Sequence, residues 1–341
     1  MTDFKGKHVW FELNTTDLKA AEAFYASVIG WVPRDSGMPG MQYTMVGPVD
    51  HSVGGMMVLT EEMKAGGACP GWTGYVAVDD VDAAAALTQR LGGQVFVPPQ
   101  DIPGVGRFSI VSDPQGAVLS LFKGTPSEGM EPPPPPAPGT PGHFGWHELH
   151  TTSLDGALAF YGELFGWRKG ETMDMGPNGV YQLFATGAQG DESDGGMALK
   201  QPDAPQPYWL YYINVASVDT SMARITAGGG KVLMGPHQVP GGLWIVMGLD
   251  PQGAAFAVWA PAEGPPAREA RCRGDHGQRV LHGRSLAPVP AITRRSGGRV
   301  AMDMEGRVRG LAKRVAVTFA VASPGRPDQV LDSLQPLEVG R

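Results

Sequence analysis

The chain has 341 residues, a formal net charge of −7 and an ordinary share of apolar and charged side chains, enough for two domains with their own cores. Two cysteines, Cys69 and Cys272, exclude a disulfide framework and show no Cys-x-x-Cys spacing, so a reducing cytosol is expected. The first residues lack the charged-then-apolar form of a signal peptide, and no apolar run reaches the roughly 18 to 20 residues that span a bilayer. We therefore expect a cytoplasmic protein with no membrane partner.

The charge is unevenly spread. An acidic body precedes an Arg-rich, basic stretch at 263–341. Such a body repels phosphate backbones, so no nucleic-acid partner is expected.

In chain order, residues 8–14 read as a short strand, with Trp10, Glu12 and Asn14 on one face and Phe11 and Leu13 on the other. Asp17 stands where a helix N-cap belongs. Leu18, Ala21, Phe24/Tyr25 and Val28/Ile29 then follow at helical spacing, and Gly30 is placed to stop the helix. Strands are expected at 41–46 and 53–59, with Gly54-Gly55 inside the second. After a loop containing Cys69 and Pro70, a strand over 73–78 leads into an alanine-rich helix from Asp80 to Leu91. Strands near 94–97, 105–111 and 117–122 complete the unit, the last two joined by a turn at Asp113-Pro114-Gln115-Gly116.

The same pattern then repeats. Residues 10–31 and 146–167 are identical at 12 of 22 aligned positions, which makes the chain a tandem duplication. Trp72 and Trp209, Gly92 and Gly229, and the two Asp-Pro-Gln-Gly turns recur at a spacing of 137. The expected organisation is a first domain at 1–125, a stiff Pro-rich linker at 126–142, a second domain at 143–262 and a basic, disordered extension at 263–341.

The strand leading into Thr-Asp-Leu-x-x-Ala-x-x-Phe-Tyr, the Gly-Trp after the helix and the late Asp-Pro-Gln-Gly resemble the vicinal-oxygen-chelate superfamily, which includes glyoxalase I, bleomycin-resistance proteins and extradiol dioxygenases. The resemblance covers both copies and nothing beyond 261. It implies an α+β fold of tandem glyoxalase-like domains. Each domain would hold two βαβββ units whose curled mixed sheets form clefts. The tandem would act as a fused dimer, so a monomeric chain is expected. It also implies a divalent metal, with ligands at positions that here hold Trp10, Thr73 and Ser120, a fourth falling near Gly54-Gly55-Met56. In the second copy they hold Trp146, Leu210 and Ala257, with Gly195-Gly196-Met197. Most of these side chains cannot supply the charged oxygen or imidazole nitrogen that Zn, Ni or Fe(II) requires. No cofactor is predicted, and a metal would enter only through relocated ligands such as Glu148 and His150.

Glu12 and Glu148 are the candidate catalytic residues, because each faces the cleft beside a Trp on a largely apolar wall. Trp10, Asn14, Tyr75 and Met56 in one copy, and Trp146, His150, Tyr212 and Met197 in the other, are the candidate ligand-binding residues. Trp72, Trp209 and Met57 add to the expected aromatic and Met-rich wall. The bland alternative for each Glu is a bond to a buried backbone group or to a Tyr hydroxyl from the facing strand, such as Tyr75 or Tyr212. His147 faces away from Glu148 and is read as a packing or surface residue, and Gly228-Gly229-Gly230 as a helix stop. The function that follows is metal-free binding of a small organic molecule, either as pure binding or with acid–base chemistry by Glu12 or Glu148. Its rivals are a metal-dependent lyase or dioxygenase with relocated ligands, and a non-catalytic interaction protein.

Overall fold

The computed structural model describes residues 4–38, 40–125, 136–176, 179–186, 193–202 and 204–261. The expectations for 126–135 and 262–341 lie outside the described residues.

The first domain opens with β1 (His8–Thr15), α1 (Leu18–Ile29), β2 (Arg34–Asp35), β3 (Tyr43–Val46) and β4 (Gly54–Val58). A short helix that the sequence reading did not anticipate, α2 (Glu61–Ala65), follows within the connection. The second unit comprises β5 (Gly71–Ala77), α3 (Val81–Arg90), β6 (Gln94–Ile102), β7 (Gly106–Ser112) and β8 (Val118–Gly124).

The second domain repeats the plan, with no counterpart of the extra helix among the described residues: β9 (Phe144–Thr151), α4 (Leu154–Phe165), β10 (Arg168–Asp174), β11 (Val180–Ala185) and β12 (Gly195–Leu199), then β13 (Tyr208–Asn214), α5 (Val218–Ala227), β14 (Lys231–Gln238), β15 (Leu243–Leu249) and β16 (Ala255–Pro261). Each domain is thus two βαβββ units. Their strands merge into one eight-stranded mixed sheet in the order β2-β3-β4-β1-β5-β8-β7-β6, and β10-β11-β12-β9-β13-β16-β15-β14. Among the described residues no helix is long and apolar enough to cross a membrane.

Local chemistry accounts for the helix limits. The Asp17 carboxylate accepts from the Ala20 N–H at 3.0 Å, and the Ser153 hydroxyl from the Gly156 N–H at 3.1 Å. Each satisfies an otherwise orphaned donor of the first turn. Gly30 and Gly166 close the helices in the left-handed region, at φ 89° and 77°, which only glycine adopts freely.

One face of both sheets packs on the helices and on the other domain, so a single buried core runs through both halves. The interface obeys a pseudo-dyad. Tyr25 donates to Asp250 at 3.3 Å and Tyr161 to Asp113 at 3.0 Å. The indole of Trp31 donates to the carbonyl of Gly142, and that of Trp167 to the carbonyl of Gly6. Asp113 and Asp250 also hold the N–H groups of their own turns. Burial nonetheless raises the pKa of both carboxyls, and the backbone bonds only partly offset it. The late turns therefore build the domain interface as well as the hairpins. At the dyad itself His8 stacks on His147 with ring centres 4.0 Å apart, and Phe11 stacks on Phe144 at 3.7 Å. His147 is thus a packing residue, with Nδ1 bonded to the carbonyl of Asp194 at 3.0 Å.

Candidate functional site

The opposite face of each sheet carries Trp10, Glu12 and Asn14 on β1, and Trp146, Glu148 and His150 on β9. Register decides what stands beside them. Glu12 lies between Gly55 on β4 and Thr73 on β5, while Trp10 lies opposite Tyr75. In the second domain Glu148 lies between Gly196 and Leu210, and Trp146 opposite Tyr212.

Glu148 is held tightly. Its Oε1 accepts from His150 Nε2 at 2.7 Å and from the Tyr212 hydroxyl at 3.2 Å, and its Oε2 accepts from the Tyr181 hydroxyl at 2.7 Å. The Trp146 indole donates to the Tyr181 oxygen at 2.9 Å. The His150 ring stacks on Tyr208, centres 4.5 Å apart. The first domain repeats this design with one exchange: Trp10 donates to the Tyr43 hydroxyl at 2.9 Å, and Tyr43, Tyr75 and Asn14 hydrogen-bond Glu12. Both glutamates therefore bond tyrosines, as the bland alternative anticipated for Tyr75 and Tyr212.

That exchange, Asn14 for His150, sets the charge. Burial raises the pKa of Glu12, and its three neutral partners do not offset the desolvation. Burial acts on Glu148 in the same sense, but the hydrogen bond and charge of His150, then Tyr181 and Tyr212, outweigh it and hold the carboxyl below its usual value. Tyr43 and Tyr181 are themselves pushed well up, first by burial and then by the adjacent carboxylate, so both remain phenols that can only donate to it.

The walls also differ. Beside Tyr75 stands Ser120, whereas beside Tyr212 stands Ala257. In the second domain Leu210, Tyr212, Ile245 and Ala257 form a separate apolar cluster flanked by Trp146, Met247 and Trp259. A cavity of about 660 Å³ at the edge of the first sheet, lined by Lys19, Glu22, Arg34, Met41 and Tyr43 among others, touches the Glu12 cluster only through Tyr43.

Four of the expected wall residues fall elsewhere. Met56 pairs with Leu13 and Met197 with Leu149 in the parallel ladders, so both point away from the glutamates, and both are fully buried in the common core. The cleft-facing neighbours are Met57, opposite Asn14, and Ala198, opposite His150. Trp72 and Trp209 also face the core, donating to the hydroxyls of Tyr25 and Tyr161 at 2.8 and 3.3 Å. Conversely, Tyr43 and Tyr181 are site residues that strand periodicity did not single out. Their sequence signal was a Tyr at the start of the strand before Gly-Gly-Met in both copies. The glycines are needed there: a Cβ on Gly55 would enter the ring of Tyr43, and one on Gly196 that of Tyr181.

At the positions where the resemblance implies metal ligands, no side chain offers the carboxylate, imidazole or thiolate that divalent sites use, and Thr73 and Ser120 supply only neutral hydroxyls. Trp10 and Trp146 present an N–H already given to a phenol, and Leu210, Ala257 and the core-facing methionines offer no hard donor. Glu148 and His150 are bonded to each other, and among the described residues no third His, Cys, Asp or Glu joins them.

Comparison with known proteins agrees with this architecture. The family model described as "Glyoxalase/Bleomycin resistance protein/Dioxygenase superfamily" matches residues 7–121 and again 140–258. A putative glyoxylase, CFP32, of Mycobacterium tuberculosis is 34% identical over 261 residues, 76% of this chain and 96% of the relative. The anthracycline biosynthesis protein DnrV of Streptomyces peucetius is 31% identical over 282 residues, 78% of this chain and 98% of the relative. Among solved structures, a Mn(II)-bound glyoxalase from Novosphingobium aromaticivorans superposes with a TM-score of 0.52 at 17% identity, covering 76% of this chain and 83% of the other. The 2,3-dioxygenase LapB from Pseudomonas sp. KL28 gives 0.51 at 15%, covering 77% and 95%. At those identities the structural likeness concerns the fold. The chain belongs to the glyoxalase/bleomycin resistance protein/dioxygenase superfamily, as a tandem of two such domains.

Proposed function

We propose that the chain binds small organic molecules on its two cleft faces, exchanging a proton with the ligand through Glu12 and orienting it through Glu148. The observation that carries this reading is the Trp–Tyr–Glu–Tyr cluster repeated at the centre of each sheet, with a carboxyl group desolvated on an aromatic wall. Glu12, its proton affinity raised by burial, is the better suited of the two to general acid–base work. Glu148, saturated by three donors and held as a carboxylate, is a poorer base and a better anchor for Tyr181, Tyr212 and His150. A relative named for anthracycline biosynthesis and one named a putative glyoxylase suit a small organic ligand. The two domains already bury each other's dyad faces, which supports a monomer, and size-exclusion chromatography with light scattering tests that. The absence of a disulfide framework keeps a cytoplasmic setting as part of the proposal.

A thermal-shift screen of aldehydes, catechols, an anthracycline and glycopeptide-like drugs tests the binding reading. A hit should lose its shift in Trp10→Ala or Trp146→Ala, while Phe24→Ala chiefly lowers stability. If no compound moves the melting temperature, an interaction protein with occluded clefts becomes the better description.

One observation favours a second reading. Glu148 and His150 lie side by side, 2.7 Å apart, and are the carboxylate and imidazole that a relocated metal site of a lyase or dioxygenase would need. Stoichiometric Zn, Ni, Mn or Fe in the purified protein, lost on Glu148→Gln, would replace the metal-free mechanism with that one.

A further inference from the structure

Away from both clefts, His51, in the turn between β3 and β4, meets His143, which precedes β9. Their Nε2 atoms are 2.6 Å apart, and the rings are centred 4.7 Å apart at 33°. What the other ring nitrogens do decides the chemistry. Nδ1 of His51 lies 2.8 Å from the carboxylate of Asp50, and Nδ1 of His143 lies 3.3 Å from the carbonyl of Pro141. An ionised carboxylate and a carbonyl can only accept, so each Nδ1 carries its proton. Each neutral ring then turns a bare Nε2 lone pair towards the other. Two lone pairs so placed repel unless a cation stands between them. An imidazole whose outer N–H is held by a carboxylate or a carbonyl is also the usual posture of a metal-bound histidine.

We propose that His51 and His143 form a two-histidine site for a divalent transition metal of the Zn²⁺, Cu²⁺ or Ni²⁺ class, clasping the first domain to the start of the second. Imidazole suits these ions over Mg²⁺ or Ca²⁺. His143 is the fixed ligand: it is 8% exposed, and its backbone bonds Thr140 and Asn214. His51 is the adjustable one, its side chain 39% exposed. Tetrahedral coordination at about 2.0–2.1 Å from each nitrogen needs roughly 3.3 Å between them, an opening the exposed turn can supply. The half-exposed side of His51 leaves the remaining positions to water. Asp50 supplies compensating negative charge from behind its imidazole. The site shares no residue with the Glu12 or Glu148 clusters, so it stands independently of the proposed function.

Electron paramagnetic resonance of the full-length, untagged chain with one equivalent of Cu²⁺ tests this site. The expected spectrum shows hyperfine coupling to two imidazole nitrogens. His51→Gln and His143→Gln should each leave one nitrogen and weaken binding at least about tenfold. Zn²⁺ should raise the melting temperature of the wild type and not of either variant. Glu148→Gln should change neither result, which separates this site from the relocated-ligand reading. A copper spectrum unaltered in the double variant would place the metal elsewhere and overturn the proposal. Absence of stoichiometric binding would do the same, leaving a proton shared between the rings.

Discussion

The ring of Tyr181 closes over Gly196, so closely that the glycine has no room for a β-carbon. From there its hydroxyl reaches Glu148 at 2.7 Å while accepting the Trp146 indole. The same relationship links Tyr43 to Gly55. Gly196→Ala should therefore push Tyr181 off the sheet and break the Trp–Tyr–Glu chain, at a cost of about 1–3 kcal/mol from overpacking. Urea denaturation measures the loss, and Tyr181→Phe separates sterics from hydrogen bonding. If Gly196→Ala keeps full stability and full ligand binding, the close approach has no role.

The exchange of Asn14 for His150 predicts a reciprocal pair of variants. His150→Asn should remove the imidazole partner and raise the Glu148 pKa towards the behaviour of Glu12. Asn14→His should lower that of Glu12. Carbon-detected NMR titration of the two carboxyls reads both shifts. Ligand binding that depends on a charged Glu148 should then weaken at a higher pH in His150→Asn than in the wild type. An unmoved Glu148 titration would show that His150 does not control its charge.

Acid should loosen the domain interface through His147. Burial holds this imidazole neutral, with its pKa lowered from 6.5 to about 4. Its stacked neighbour His8 is also lowered, first by burial and then by His147. The unfolded chain binds the His147 proton more readily than the folded one, so stability is full above pH 6.5 and is lost as pH falls towards 4. The loss is up to roughly 3 kcal/mol for His147 alone. Glu12, whose carboxyl gains proton affinity on folding, works in the opposite direction over part of this range. The test is therefore the difference between wild type and His147→Phe: the variant should show a flatter melting-temperature profile between pH 6.5 and 4. Parallel profiles would remove His147 from the explanation.

Removing one hydroxyl from the dyad should be felt in both domains. Tyr161→Phe takes a donor from Asp113, a carboxylate already desolvated, and strips the Trp209 indole of its acceptor. Tyr25→Phe does the same at Asp250 and Trp72. Each should cost about 1–3 kcal/mol, and calorimetry should still show one cooperative transition because the core is continuous. Two separated transitions would mean that the halves unfold independently.

Much of this was legible from local rules. The duplication, the caps at Asp17 and Ser153, the left-handed glycines and the face carrying Trp10, Glu12 and Asn14 all depend on short-range spacing, which the chain displays directly. The direction of Met56 and Met197 is not legible locally, because the glycines preceding them carry no side chain to mark a face. Only the register of β4 against β1, and of β12 against β9, sets their direction. Spacing alone does not turn Trp72 and Trp209 towards the core, because their partners, Tyr25 and Tyr161, lie on helices distant in sequence. Tyr43 and Tyr181 escaped notice for a similar reason: their significance depends on a glycine in the neighbouring strand.

The pseudo-dyad breaks at one informative place. Gly74 and Tyr211 occupy equivalent positions, and the Tyr211 hydroxyl crosses the interface to receive the Gly74 N–H at 2.8 Å, in space a side chain on Gly74 would fill. A dimer of identical subunits could offer only two tyrosines competing for that space, or two glycines leaving it empty. One large and one vanishing residue across a symmetry axis requires that the partners be different polypeptide segments. Covalent tandem linkage therefore supplies more than proximity. It releases each half from having to fit a copy of itself, the freedom under which one sheet can carry asparagine and serine where the other carries histidine and alanine.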